Sequence, residues 1–390
     1  MKCESIKLLI YSPLSMKVGA GGDRWLTEIA PRLKKRGLYV EIIATDFIPI
    51  SHKSDASLWY PNKICEEGIK YREISTYNIS NLVNTPILKP TALQDLSHQM
   101  NNFDVTYFLN AYFLQDFQVF AAKIASCNRP IISAQHACMF QDNLLHNLYI
   151  RLVSRPLLKA FDTYHVLNQE DFRTYQHWGM RNVYLIPNGV DIDRFHPSQD
   201  DFNPSQKLRL LFVGRLDRQK GIDLLLQALE YIEHKYNCVI DDIICRIIGA
   251  GPLLGLVKKY ASSKDYIEYL GYVTEDELLE NYRKSDLFLM PSRRETFGLV
   301  AVEALSSGVP VLTTDIPGPR SFMSEQFGFI VKPNSAKLLA EGLVEFHRIW
   351  REEPDRINSM KSCARRCVEK NLSWESVVDR FVEMIQNTTN

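Results

Sequence analysis

The chain carries, twice over, a short apolar run that breaks into a glycine-containing loop and then an amphipathic helix, and this doubled rhythm most narrows its choice of folds. Residues 6–12 read as a strand, 13–22 as a turn, and 24–36 as a helix with Trp25, Ile29 and Leu33 at helical spacing. Gly37 closes that helix and residues 39–44 form a second strand, so the opening is a βαβ unit of a parallel sheet. Further β-like runs follow at 104–109, 130–134, 163–167 and 183–186, while 50–102, with Pro61, Pro86 and Pro90, read as long variable loops. At 209–213 the rhythm restarts, runs through 214–221 into a helix at 222–234, and continues with strands at 245–248, 267–269, 287–290, 309–313 and 328–331. The expected architecture is α/β, with two doubly wound domains in tandem facing a cleft: residues 1–190, a polar linker 191–207, and 208–373. A last helix from Trp374, apolar at Val377, Val378, Phe381 and Ile385, is expected to pack back on the first domain, so that 374–390 belongs there.

Composition closes off other classes. With 390 residues, 45% hydrophobic and 24% charged, the chain is neither low-complexity nor disordered. Its 46 basic and 46 acidic residues cancel, so no overall field holds it to nucleic acid, and none is expected as a partner. No apolar run approaches the roughly 18 residues of a membrane span, and the first residues do not read as a signal peptide, so a cytoplasmic location is expected. Lys34, Lys35 and Arg36 offer a basic helix end that would suit peripheral contact at the inner membrane face, or simply a solvated terminus. The eight cysteines show no CxxC pair and no histidine at zinc-finger spacing, so no metal site is expected.

The chemistry-bearing residues collect where strands end, which is where doubly wound sheets bind ligands. Gly19-Ala20-Gly21-Gly22 lies between a strand and a helix, where bare backbone would let an anion or a sugar approach the positive end of the helix; a tight turn is the alternative. Arg215 and Lys220 follow the strand 209–213, and together they could clamp a diphosphate, although a solvated polar loop would look the same. Glu295 precedes a helix expected near Phe297, and Glu303 stands two turns into it among apolar neighbours. A buried carboxylate needs partners: two sugar hydroxyls serve, as would an arginine, while the free amides of Phe297, Gly298 and Leu299 suit phosphate. His136 follows the strand 131–134 and could exchange hydrogen bonds with a substrate or serve the structure alone.

In order and spacing these residues resemble the retaining glycosyltransferases of family 4. The resemblance rests on the glycine loop with its helix, His136, Pro187-Asn188-Gly189-Val190-Asp191 with Phe195 and Pro197, Gly214-Arg215 with Lys220-Gly221, Gly249-Ala250-Gly251-Pro252, Leu270-Gly271-Tyr272-Val273, Glu295 seven residues short of adjoining Glu303, and Gly308-Val309-Pro310-Val311. It implies the GT-B fold of two Rossmann-like domains and transfer of a sugar from a nucleoside diphosphate sugar, UDP favoured over GDP, to a glycan or lipid-linked acceptor. By the same resemblance Arg215 and Lys220 bind the diphosphate, Glu303 the ribose, Tyr272 and Val273 the base, and Glu295 with Phe297, Gly298 and Leu299 the sugar and phosphate. Gly21 and Gly22 would meet the donor, His136 would lie beside the transferred sugar, and no cofactor or metal is implied. The competing functions are a sugar phosphorylase or nucleotide-sugar epimerase on the same scaffold, or a silent nucleotide-binding subunit. A nicotinamide dehydrogenase is disfavoured, because neither glycine loop has the G-x-G-x-x-G fingerprint.

Overall fold

The computed structural model describes residues 5–18, 21–49, 59–77, 86–110, 114–126, 128–139, 144–198 and 207–389. The chain divides into two units, Met1–Pro187 with Val377–Asn390, and Asn188–Ser376. Among the described residues no helix is long and apolar enough to cross a membrane.

The first unit is built on seven parallel strands, β1 Lys7–Ser12, β2 Tyr39–Thr45, β3 Lys70–Ile74, β4 Val105–Asn110, β5 Ile131–Gln135, β6 Thr163–Val166 and β7 Val183–Leu185, in the order β3-β2-β1-β4-β5-β6-β7. Strands covered on both faces are largely apolar, and β5 and β6, buried at every position, keep Ser133, Gln135, Thr163 and His165 as interior polar side chains. The order reverses between β1 and β4, which makes their carboxyl ends a switch point. Residues 59–101 depart from the loop reading: helix Trp59–Glu66, edge strand β3 and helix Pro90–Asn101 extend the sheet there. A short edge strand, exposed at Lys70 and half-buried from Tyr71 to Glu73, carries too few apolar positions for the pattern to show. The first helix begins at Gly21 rather than Arg24, with Asp23 in its first turn and Trp25, Ile29 and Leu33 buried. Lys34 and Arg36 are engaged within the unit, Lys34 donating to the carbonyls of Glu67 (2.9 Å) and Gly68 (3.0 Å) and Arg36 pairing with Asp379 at 2.7 Å. Lys34 and Arg36 are thus bonded within the unit, while Lys35 is exposed.

Helix Trp374–Thr389 leaves the second unit after its first turn. From Val377 onward it lays Val377, Val378, Phe381, Met384 and Ile385 into the first unit, all at most 1% exposed. Phe381 meets Trp25 and His165 with ring centroids 5.8 and 4.9 Å apart.

The second unit has six parallel strands, β8 Leu208–Val213, β9 Ile243–Ile248, β10 Ile267–Gly271, β11 Leu287–Met290, β12 Val311–Thr314 and β13 Gly328–Val331, in the order β10-β9-β8-β11-β12-β13. Residues 191–198, the first part of the expected linker, are instead packed into this unit, which begins at Asn188. Phe195 is 4% exposed against Tyr282, and its carbonyl accepts from Ser306 Oγ (2.6 Å) and from Arg365 (2.7 Å). Their polar composition hid one buried aromatic and a run of carbonyls that the helices satisfy; 199–206 lie outside the described residues.

β8 and β9 pair in register from Leu208–Ile243 to Val213–Ile248, so the loops after them leave the sheet side by side. Leu216 N donates to Ala250 O (2.7 Å) and Leu253 N to Leu216 O (2.8 Å), stitching one loop to the other. The approach requires glycine at 249: its φ is +136° and an added Cβ would lie 1.9 Å from the Gly214 carbonyl oxygen. Gly249→Ala is therefore expected to lower stability by more than about 2 kcal/mol, from backbone strain plus loop displacement. A thermal melt showing an unchanged Tm would contradict this packing.

Candidate functional site

The strand order places the two cationic and acidic loops of the second unit next to each other. β11 lies beside β8, so residues 291–298 run along residues 214–221 at the carboxyl edge of the sheet. Arg293 N donates to Gln219 O (2.8 Å), and the Arg293 fork holds Asp223 at 2.7 and 2.9 Å. Across this seam Lys220 Nζ pairs with the Glu295 carboxylate, which also accepts from Ser292 Oγ at 3.3 Å. Their side chains keep 26% and 10% exposure, enough contact with solvent for a ligand to reach the ammonium.

Arg215 Nε pairs with Asp217, and the other oxygen of Asp217 accepts from Lys220 N at 2.8 Å. Asp217 thus folds the loop so that both cations leave it from fixed backbone positions, a role the sequence reading missed. An aspartate three residues before a backbone donor, ahead of a helix start, was the available signal. Arg293 and Asp223 were missed too, since a pair 70 residues apart leaves no local trace.

Glu303 sits on helix Leu299–Ser306 at 4% exposure, where Tyr282, wholly buried, donates to it at 2.9 Å. Its interior position is as expected, and one partner that the sequence did not reveal is the phenol of Tyr282 from the helix Glu275–Arg283. An ionised carboxylate offers about four acceptor sites, of which Tyr282 takes one. The helix opens at Leu299 rather than Phe297, because Gly298 at φ +104° is its N-cap. The first-turn amides have no partner within the helix and carry its positive dipole end. Phe297 is buried against Phe322 and contributes backbone only. Tyr272 is 81% exposed and Val273 half-buried, just past β10.

In the first unit, Gly21 and Gly22 open the first helix with no atom within 4 Å of an added Cβ, so neither steric crowding nor positive φ accounts for the glycines. Gly19 and Ala20 lie outside the described residues. His136, at the end of β5, is half-buried against Trp25, with centroids 4.5 Å apart. It belongs to a chain across three adjacent strands: His136 Nε2 to Tyr107 Oη (3.0 Å), Tyr107 Oη to His165 Nδ1 (2.6 Å), and His165 Nε2 to Ile186 O (2.8 Å). Burial pushes His165 down to about 4 and holds His136 well below the usual imidazole range, so both rings are neutral.

The hydrogens in that chain follow by elimination. A carbonyl only accepts, so His165 carries its hydrogen on Nε2 and accepts at Nδ1. Tyr107 then donates to His165, and its oxygen accepts from His136 Nε2, which leaves His136 Nδ1 as an acceptor. Tyr107 and His165 were missed because each reads as a strand residue on its own. Unfolded histidine binds a proton near pH 6.5 and folded His165 not until about 4, so the unfolded state holds more protons between those values. Stability is accordingly expected to fall as pH drops through that window, by up to about 1.4 kcal/mol per pH unit for one histidine. Urea melts at pH 7 and 4.5 on wild type and His165→Gln test this; equal slopes would contradict it.

Two family models match the chain. Residues 19–194 match Glycosyltransferase Family 4 and residues 195–361 match Glycosyl transferases group 1, so the matches run unbroken over 19–361. A D-inositol 3-phosphate glycosyltransferase of Geodermatophilus obscurus is 25% identical over an aligned length of 404 residues, covering 93% of this chain and 84% of that protein. A GDP-mannose-dependent alpha-(1-6)-phosphatidylinositol monomannoside mannosyltransferase of Mycobacterium tuberculosis is 26% identical over 223 residues, 53% of this chain. With 56% of that relative covered, the chain spans about half the length of several relatives it matches. Among solved structures, Anabaena HepE in complex with UDP and glucose has a TM-score of 0.76 at 17% identity, covering 98% of this chain and 99% of that one. A glycosyltransferase from Rickettsia africae has a TM-score of 0.75 at 18% identity, covering 98% of each chain. At that identity the likeness shows the fold, two Rossmann-like α/β units of the GT-B class.

Proposed function

Since the chain belongs to the family 4 glycosyltransferases, we propose that it is a hexosyltransferase that moves a sugar from a nucleoside diphosphate sugar to a hydroxyl of a glycan or lipid-linked acceptor, with retention and without a metal. The anomeric carbon–oxygen bond to the diphosphate breaks, a bond to the acceptor oxygen forms, and the acceptor's proton leaves with the nucleoside diphosphate. The observation that carries this reading is the seam joining Lys220 to Glu295 beside Arg215 at the carboxyl edge of the second sheet.

Each residue has a role that its chemistry suits. Arg215 and Lys220 neutralise the diphosphate as it departs, the charge that a divalent ion would otherwise supply. The amides of Phe297, Gly298 and Leu299 receive phosphate, Glu295 the sugar, Glu303 the ribose hydroxyls, and the segment at Tyr272 and Val273 the base. Gly21 and Gly22 let the donor approach bare backbone, and His136 Nδ1 accepts from a hydroxyl of the transferred sugar. UDP-sugars are the favoured donors, as HepE binds UDP and glucose; the GDP-mannose-dependent relative makes GDP-mannose the competing donor.

The test is a panel of UDP-, GDP- and ADP-sugars, with binding by calorimetry and hydrolysis or transfer by product release. Binding of none of them would overturn the reading. Tight binding without turnover on any acceptor would favour a silent subunit, and replacement of nucleotide by inorganic phosphate a phosphorylase. EDTA is expected to leave the rate within about twofold, and strict dependence on Mn²⁺ or Mg²⁺ would refute the metal-free mechanism.

A further inference from the structure

Residues 144–159 of the first unit, LLHNLYIRLVSRPLLK, turn their apolar side chains the wrong way for a globular helix. The stretch runs as helix Leu144–Tyr149, a π-helical turn Ile150–Ser154 and helix Arg155–Leu158. Leu144 and Leu145 are each 74% exposed, Leu152 71%, Leu148 43% and Val153 39%. Scattered exposed leucines are ordinary, but five large apolar side chains within ten residues form a contiguous patch. Leu144, Leu148 and Leu152 recur every four residues, which keeps them on one side of a helix.

The opposite side is tied down. Ser154 Oγ donates to Asp116 at 2.6 Å, Leu158 is 2% exposed, and the carbonyl of Leu158 accepts from Tyr164 at 2.6 Å. The leucines therefore point outward from an anchored element. Asp116 opens helix Gln115–Ala125, which exposes Phe117 (58%) and Ile124 (66%), seven residues apart and so on one side of that helix.

Charge selects what covers this patch. Residues 144–161 contain no Asp or Glu, and Arg151, Arg155 and Lys159 recur every four residues on the same stretch. Of the described acids beside it, Asp116 accepts from Ser154 and Asp162 pairs with Lys123 at 2.5 Å. A second copy docked here about a two-fold axis would set this basic row against itself, an arrangement that repels. Leucines flanked by cations, with no acid among them, match an interface of acyl chains beneath anionic headgroups. We propose that residues 144–159, with Phe117 and Ile124, form a docking surface for an anionic lipid bilayer. It stands independently of the transfer reaction, and it replaces the Lys34–Arg36 helix end, whose Lys34 and Arg36 are engaged within the unit.

The test uses the full chain and vesicles of phosphatidylcholine with or without phosphatidylglycerol, read by co-sedimentation. Wild type is expected to partition at least about tenfold more strongly to the anionic vesicles. The triple variant Leu145→Gln, Leu148→Gln, Leu152→Gln is expected to lose at least tenfold of that partition, with wild-type circular dichroism and Tm because the side chains are exposed. Leu152→Gln alone is expected to lose part of it, which guards against a folding defect in the triple variant. Arg151→Gln with Lys159→Gln is expected to reduce both the partition and its salt dependence. Absence of binding to anionic vesicles overturns the proposal, as does undiminished binding by the triple variant. A concentration-dependent dimer in sedimentation equilibrium that the triple variant abolishes also overturns it, because a second copy would then own the face. Donor binding by calorimetry is expected to be unchanged in the leucine variants, so failure here is separable from failure of the proposed reaction.

Discussion

Lys220→Ala is expected to lower kcat by about 100- to 1000-fold, the loss that follows removal of one preorganised charge or donor from a developing anion. Charge grows on the departing diphosphate as the anomeric bond breaks, so an ammonium that meets it contributes more in the transition state than in the bound donor. The Kd for the donor should therefore rise much less than kcat falls. Glu295 would lose its cationic partner, so the variant is best compared by melting as well as by rate; a small Tm change with the large kcat loss supports an electrostatic role. Wild-type turnover in Lys220→Ala would remove the diphosphate assignment for this loop.

Glu303→Gln is expected to raise the donor Kd roughly 30-fold. Two bonds from ribose hydroxyls to a carboxylate each weaken by about 1 kcal/mol when the acceptor becomes a neutral amide, since charge-assisted bonds are about twice as strong. The amide oxygen still accepts from Tyr282, so the fold keeps its buried bond. Glu303→Ala removes both and leaves the phenol of Tyr282, wholly buried, without this acceptor. That variant should lose about 1–3 kcal/mol of stability besides affinity. Calorimetry returning the wild-type Kd in Glu303→Gln would show that ribose is held elsewhere.

The parts of the site that were legible in the chain are those set by a few neighbouring residues. Arg215 and Lys220 follow a strand that is apolar enough to be recognised, and Glu303 betrayed its burial because Val300, Ala301, Val302, Ala304 and Leu305 surround it. Asp217 belongs to the same loop but was passed over, since its work is local, accepting from the Arg215 guanidinium two residues back and from the backbone N–H of Lys220 three residues on. Tyr107 and His165 were out of reach for a different reason. They lie 58 residues apart and meet only because β4, β5 and β6 are neighbours in the sheet.

The first half was read less well than the second. Residues 59–101 hold two helices and an edge strand where loops were expected, because an edge strand buries one residue of five, and its helices are short or proline-led. Residues 191–198 misled by being polar while supplying a buried phenylalanine and carbonyls that other elements satisfy.

By itself the sequence determined that this is a two-part parallel α/β chain, where its main strands end, and which loops carry cations, acids and glycines. Periodicity and backbone preference act over a handful of residues, so they are written locally. Only the tertiary structure decided that Lys220 meets Glu295, that Tyr282 meets Glu303, and that Tyr107 sets the hydrogens of two histidines. Those contacts depend on which strand lies beside which, and strand order is chosen by the burial of whole faces rather than by any single residue.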